Sequence, residues 1–304
     1  MIQSHRSTSH IARLWAIPAV LGLLLTSCAT ASEAETDEPS PPLIDLTADI
    51  SDLEAQYEAV VGVYALNTED GTVVSHHADE RFAYASTIKA LAAAAVLHQS
   101  QPADLEEVVT YTADDLVTYS PVTERHVDTG MTLSEVIDAA IQESDNTAGN
   151  LLFQQLGGPE ALQTALRDIG DETTNTSRWE PELNGYDPGD DRDTSTAAAL
   201  ATSLLAYATD VLNEDSRAIL ITSMSGVRTG DGTIRAGVSA GWKVANKTGT
   251  GDHGTRNDIA LLWPDENAAP VVLAVLTRSV DPDGKPSDSL VAESTAITLA
   301  ALGF

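Results

Sequence analysis

Ser86-Thr87-Ile88-Lys89 sets a hydroxyl and an amine three residues apart at the start of a helical run from Ala90 to Leu97. Residues i and i+3 share a helix face, and the first turn is where backbone N–H groups lack helical partners. A hydroxyl becomes a nucleophile when a neighbour takes its proton, and a lysine at this spacing can do so. Ser144-Asp145-Asn146 falls in the break between two helical stretches. A loop held at both ends can aim a hydroxyl and an amide into a cleft, although the same residue types also cap helices. Lys247-Thr248-Gly249-Thr250 lies in a strand-like segment. Its cation can anchor a carboxylate or polarise a hydroxyl, and its glycine lets a ligand approach the backbone. Singly, each triplet also serves as a helix start, a helix cap or a strand end. The information lies in all three occurring together, in this order.

The elements that must position these residues can be read from periodicity. Leu46, Ile50, Leu53 and Tyr57 predict a helix over 46–58. Ala59–Asn67 and Thr72–His76, joined by Thr68-Glu69-Asp70-Gly71, form a hairpin. From Ser86 to about Leu220 the chain turns Ala- and Leu-rich, with a capping box (Thr132, Glu135) before a helix reaching Gln142. A second helix, Ala148–Leu156, stops at Gly157-Gly158. Strands return at Trp242–Thr248, Asn257–Trp263 and Val271–Thr277, and a helix closes the chain at about Ser287–Leu302. Short hairpin connections imply an antiparallel sheet. The expected fold is therefore α/β. An antiparallel sheet flanked by helices comes from about 46–78 and 225–304, and an all-helical lobe from about 79–224, with a cleft between them.

Composition narrows the partners. Sixteen Lys plus Arg against 46 Asp plus Glu give a net charge of −30 over 304 residues, a surface that repels phosphate backbones and argues against nucleic acid. A single cysteine excludes an internal disulfide and a Cys-rich metal site. Arg6 and Arg13 precede an apolar run, Leu14–Leu25, followed by Thr26-Ser27-Cys28. That is an export signal over 1–27, too short for a permanent span. Leu25-Thr26-Ser27-Cys28 resembles a bacterial lipobox, which implies lipidation of Cys28 and a membrane-anchored protein, periplasmic or on the outer face of the cell membrane. Residues 28–45, small, acidic and Pro-rich, read as a disordered tether, so the folded unit should occupy 46–304. His76-His77 reads as a solvated strand-end pair without a third ligand, and no metal site is expected.

The order S-x-x-K, S-D-N, K-T-G resembles the class A serine β-lactamases and penicillin-binding proteins. The likeness runs from about Leu46 to Phe304. It extends to YSPVTERH (Tyr119–His126), SDNTAGNLL, RWEPELN (Arg178–Asn184) and KTGTGDHGTRND (Lys247–Asp258). The resemblance implies a Ser86 nucleophile, with Lys89 or Glu180 as its base. Ser144, polarised by Lys247, would serve as proton donor. Glu180 and Asn184 would hold a hydrolytic water on an Ω-loop pinned by an Arg178–Asp193 ion pair, with a cis Glu180–Pro181 bond. Asn146, Thr248, Gly249, Thr250, Arg256 and Tyr119 would line the substrate site. The implied substrate is a β-lactam and the implied state a monomer, and the chemistry calls for no cofactor. RWEPELN separates a hydrolase from a penicillin-binding D,D-peptidase-like protein or a β-lactam sensor, either of which would be acylated and stay so. Arg235 is expected to pack structurally. His253 stands where relatives often carry Tyr. Ala85 and Gly251 occupy the positions of a Cys–Cys bridge in some carbapenem-hydrolysing relatives, which implies a preference for penicillins and early cephalosporins.

Overall fold

The two hairpin systems at opposite ends of the chain join into one six-stranded sheet in the computed structural model, which describes residues 43–304. Its strands are β1 (Leu43–Asp45), β2 (Ala59–Asn67), β3 (Val73–His76), β8 (Lys243–Thr250), β9 (Arg256–Trp263) and β10 (Val271–Ser279), in the order β1-β3-β2-β10-β9-β8. β10 runs antiparallel to β2 over nine residue pairs, from Val271↔Asn67 to Ser279↔Ala59, so the last strand of the chain lies beside the first long one. β9 and β10 are buried almost throughout, as strands covered on both faces must be. Two further ladders, β4 (Phe82–Ala83) with β7 (Thr194–Ser195) and β5 (Val108–Val109) with β6 (Met131–Thr132), are two residues long.

One face of the sheet carries α1 (Thr47–Tyr57), the single turn α8 (Ile234–Gly237) and α9 (Asp288–Ala301), around a core that includes Ile50, Val61, Leu273 and Leu299. The other face and the helical lobe share one continuous core. The lobe's helices are α2 (Ile88–Gln99), α3 (Leu133–Gln142), α4 (Asn146–Leu156), α5 (Pro159–Asp168), α6 (Ala197–Ala206) and α7 (Glu214–Ser225). α2 is buried at every residue from Ile88 to Leu97. A helix apolar on all sides belongs at the centre, and α3, α4, α5 and α7 pack round it. The Thr132–Glu135 capping box forms as expected, and Gly157 ends α4 at φ 101°.

Four expectations need correction. Leu43–Asp45 is not tether: it pairs parallel with β3, which makes the sheet mixed and starts the folded part before Leu46. Three residues are too few to display alternation. The lobe is not separate, because α6 lies on β2, β9 and β10 and shares their core. Its sequence, AAALATSLLA, is apolar enough to need cover from both lobe and sheet. His76 is buried rather than solvated, and Glu54 of α1 stands beside it and His77. Readings of residues 1–42, including the signal at 1–27 and Cys28, lie outside the described residues. Among those described, no helix is long and apolar enough to cross a membrane.

α8 and α9 touch at a glycine. A Cβ on Gly237 would press on the Ala292 carbonyl oxygen and come within 2.7 Å of Thr295 Cβ. Gly237→Ala is expected to cost about 1–3 kcal/mol by overpacking, lowering Tm by about 2–4 °C for each kcal/mol. Thermal unfolding checks this, and an unchanged midpoint would contradict it.

Candidate active site

Ser86 sits in a single 3₁₀ turn, Ala85–Thr87, that runs directly into α2, so the hydroxyl is mounted on the most deeply buried helix. Ala85 before it holds a left-handed φ of 48°, and Tyr119, Ser144 and Asp193 do the same at 64°, 57° and 55°. For residues with a Cβ this conformation is strained, and it concentrates where side chains must be aimed. Asn257 of β9 fixes the approach to Ser86 by donating to the Ala83 carbonyl at 2.7 Å. Asp145 caps α4 through Ala148 N–H and also accepts from the Val122 and Thr123 amides, which presents Ser144 and Asn146 on either side.

Lys89 is wholly buried, one helical turn beyond Ser86. Its Nζ stands 3.0 Å from Ser86 Oγ, 2.7 Å from the Ser144 carbonyl, 2.6 Å from Asn146 Oδ1 and 2.9 Å from Glu180 Oε1. An ammonium has three N–H groups for these four oxygens. Ser86 Oγ, which accepts at 3.0 Å, therefore competes with the other three oxygens for a donor. Burial pushes the Lys89 amine down from its ordinary range, and the Glu180 carboxylate opposes that. Lys247 of β8 is equally buried and donates to Ser144 Oγ at 3.0 Å and to the Thr248 carbonyl at 2.8 Å. Burial holds its amine well below the usual lysine range, and the nearby Lys89 charge adds to this.

Glu180 is buried, with Oε1 3.5 Å from Ser86 Oγ. Asn150 of α4 clamps its backbone on both sides: the Asn150 amide donates to the Glu180 carbonyl at 3.0 Å, and Glu180 N–H donates to Asn150 Oδ1 at 2.8 Å. Asn184 Nδ2 donates to Glu180 Oε2 at 2.5 Å, and the Glu180–Pro181 bond is cis. Asn184 Oδ1 is buried and has no partner among the described residues. The loop carrying both is tied at its base. Arg178 Nε meets Asp193 Oδ2 at 2.5 Å, and Tyr84 and the amides of Ser177 and Arg178 donate to the other oxygen.

β8 is the outer strand of the sheet, and its free edge faces Ser86. A Cβ on Gly249 would come within 2.9 Å of the Tyr84 carbonyl and 3.2 Å of Ser86 N. Only glycine permits that approach. Ser86, Tyr119, Ser144, Asn146, Asn184, Thr248, Thr250 and Arg256 all border one cavity of about 580 Å³, together with Arg228 and Thr229. Arg256 is held at its wall by three contacts: Nε pairs with Asp288, Nη2 donates to the Thr229 carbonyl, and Nη1 donates to Thr250 Oγ1 at 3.0 Å. Arg235 lies behind β8, bonded to the carbonyls of Met224, Ser225 and Val244. His253 rests edge-on against Tyr186, ring centroids 5.1 Å apart.

Sequence reasoning missed Asn150, Gly149, Arg228 and Asp258. A Cβ on Gly149 would stand 2.8 Å from Lys89 Cε, so the missing side chain makes room for the lysine. Arg228, exposed and paired with Glu143 at 2.7 Å, carries no sequence signal. Asp258 pairs across from Thr248 and accepts from Thr233 Oγ1, Ile234 N–H and Asn246 Nδ2. Its burial raises its pKa to about 6.

Residues 45–302 match the family model described as the beta-lactamase enzyme family. The chain is 48% identical over 292 residues to the β-lactamase of Bacillus licheniformis, covering 96% of this chain and 94% of that one. It is 51% identical over 265 residues to the β-lactamase of Amycolatopsis lactamdurans, 87% of each chain. The chain belongs to the β-lactamase family. Its fold is similar to a halotolerant bacterial β-lactamase (TM-score 0.83, 50% identity, 84% of this chain and 99% of that one). It is equally similar to a class A β-lactamase from Clostridium kluyveri (TM-score 0.83, 44% identity, 85% and 98%). The enzyme is thus a class A serine β-lactamase, and its reaction is hydrolysis of the β-lactam ring.

Two stability effects follow from the site. Arg178→Ala leaves Asp193 buried and short of its counter-charge, and denaturant unfolding should register a loss of about 3–5 kcal/mol. A loss under 1 kcal/mol would mean that the pair does not hold the loop. Asp258 keeps its proton more firmly folded than unfolded. That stabilisation is complete below about pH 4 and lost as pH rises through about 6. Between pH 4 and 7 the wild type should therefore lose up to about 3 kcal/mol relative to Asp258→Asn. A pH-independent difference would contradict the assignment.

Proposed function

We propose that Ser86 is the nucleophile and Glu180 the base that releases its ester. The observation that carries this is the Glu180 carboxylate, buried within 3.5 Å of Ser86 Oγ on a loop tied by Arg178 and Asp193. Ser86 Oγ attacks the lactam carbonyl carbon and its proton leaves to Lys89, or to Glu180 through a water. The backbone N–H groups of Ser86 and Thr250 receive the oxyanion, each such donor being typically worth about 3 kcal/mol in the transition state. As the carbon–nitrogen bond of the ring breaks, Ser144 gives its proton to the departing nitrogen. Lys247 beside the Ser144 hydroxyl stabilises the oxygen at that moment.

The ester is then cleaved by a water that Glu180 deprotonates. Asn184 Oδ1, a buried acceptor with no partner among the described residues, supplies a second contact for that water. Asn146 keeps one amide N–H beyond its bond to the Thr118 carbonyl, enough to hold a substrate side-chain amide. The substrate carboxylate is seated by Thr248, Thr250 and the Arg256 guanidinium behind Thr250, with Gly249 allowing the ring close to the strand. Tyr119, more than half exposed, forms the cleft mouth.

Penicillins and early cephalosporins are the proposed substrates, with carbapenems poorer. A Cβ on Gly251 would lie 3.6 Å from Ala85 Cβ, so these unbridged positions adjoin beside Ser86. The enzyme is proposed to act as an exported monomer, anchored by a lipid on Cys28, on a β-lactam as its only partner besides the membrane.

Benzylpenicillin hydrolysis tests the scheme. The wild type should turn over far beyond one equivalent, and Ser86→Ala should not turn over. Glu180→Ala should slow turnover about 10²–10⁴-fold. Mass spectrometry of Glu180→Ala then separates the two acylation routes: a stable adduct assigns Lys89 as the acylation base, and free enzyme assigns Glu180 to both steps. A wild-type burst that stops near one equivalent would favour the peptidase-like or sensor reading. A carbapenem kcat/KM equal to that for benzylpenicillin would overturn the substrate preference.

A further inference from the structure

Successive residues of a strand point to opposite faces. At the end of β3, however, His76 and His77 lie ring against ring, with centroids 3.9 Å apart. His77 takes a left-handed φ of 42°, which breaks the alternation and turns its ring back over its neighbour. Glu54 meets the pair from α1, with Oε1 3.3 Å from His76 Nε2 and 3.6 Å from His77 Nδ1. One donor atom from each of the three residues lies within 4.8 Å of the other two.

His76 is 2% exposed, and neither of its ring nitrogens has a hydrogen-bond partner among the described residues. Buried polar groups are normally satisfied, so an imidazole left open on both nitrogens beside a carboxylate calls for a ligand. Glu54 is already oriented, because Val61 N–H donates to its Oε1 at 2.9 Å, and a carboxylate retains further lone pairs after one such bond.

We propose that Glu54, His76 and His77 bind a divalent cation of the zinc type, at a site sharing no residue with the catalytic cleft. Two imidazoles and one carboxylate suit zinc and its transition-metal neighbours better than calcium or magnesium, which prefer all-oxygen shells. Zinc bonds of about 2.0–2.2 Å in a tetrahedron set neighbouring donors about 3.3–3.6 Å apart. The 3.3 and 3.6 Å separations from Glu54 Oε1 fall in that range. The His77 side chain is 43% exposed, which gives the ion access from solvent and leaves room for water as a fourth ligand. Glu80 adds negative charge on that side, its Oε2 3.7 Å from His77 Nδ1, while Arg278 holds its other oxygen at 2.7 Å. The bound ion ties α1 to the end of β3. An ion that binds the folded chain alone raises its unfolding temperature.

Purified protein, stripped with chelator and dialysed, is titrated with ZnCl₂ by calorimetry, and CoCl₂ serves as a spectroscopic probe of the same ligands. The wild type should take up one equivalent of Zn²⁺, gain thermal stability from it, and show visible absorption with Co²⁺. Glu54→Gln and His77→Ala should each weaken Zn²⁺ binding more than about tenfold, since even outer-shell partners carry about 10–100-fold. Both variants should lose the Co²⁺ band and keep benzylpenicillin turnover, and circular dichroism confirms that they fold. No uptake by the stripped wild type, or uptake unchanged in both variants, would overturn the proposal.

Discussion

An amine with no exposure to water is tolerated only where oxygen atoms replace its hydration, and Lys89 is the group around which the cleft is arranged. Its four oxygens come from separate parts of the chain: Ser86 from the turn that leads into its own helix, Ser144 and Asn146 from the start of α4, and Glu180 from the pinned loop. Packing serves the same end. α4 can approach only because Gly149 has no Cβ to strike the lysine stem. Removing any one of these neighbours leaves a buried charge short of a partner. Lys89 thus links the Ser86–Lys89 turn, the Ser144–Asn146 segment and the Glu180 loop into one unit.

A second buried amine makes the arrangement electrostatically tight. Burial disfavours the charge on both Lys89 and Lys247, and the Lys89 charge lowers Lys247 further, while Glu180 supports both charges and Asp258 that of Lys247. Such competition suits acyl transfer, in which a proton must leave one hydroxyl and arrive through another. The geometry is held by strain as well as by charge. Ala85, Tyr119, Ser144 and Asp193 all adopt left-handed backbone conformations around the cleft. The surrounding bonds, from Asn257 to the Ala83 carbonyl and from several amides to Asp193, keep them there.

The sheet contributes an edge. β8 ends the strand order, so its outer backbone is free to face Ser86, and Gly249 lets it approach. The opposite end of the sheet is organised differently. There the short β1 pairs with β3 and the helix α1 packs over β2, and the His76–His77 turn with Glu54 forms a polar cluster unrelated to the cleft.

Local pattern carried most of the fold. Hairpin signals, the Thr132–Glu135 capping box and the glycines after α4 depend on neighbours in the chain, and each element formed within a few residues of its expected bounds. The three short motifs were legible because the chemistry proposed for them needs particular residue types at short fixed spacings. What the sequence left open rests on contacts between distant segments. β1 is three residues long and exists only through its pairing with β3. α6 joins lobe to sheet because its apolar surface exceeds what the lobe alone can cover. Asn150 and Gly149 matter through Glu180 and Lys89, to which nothing in their own neighbourhood points. Glu54 lies 22 residues before His76, and only the packing of α1 against the sheet brings them together. The sequence determined which residues could do chemistry and on which kinds of element they sit. The tertiary structure decided which of them share a charge, because buried electrostatics depends on distance in space and not on separation along the chain.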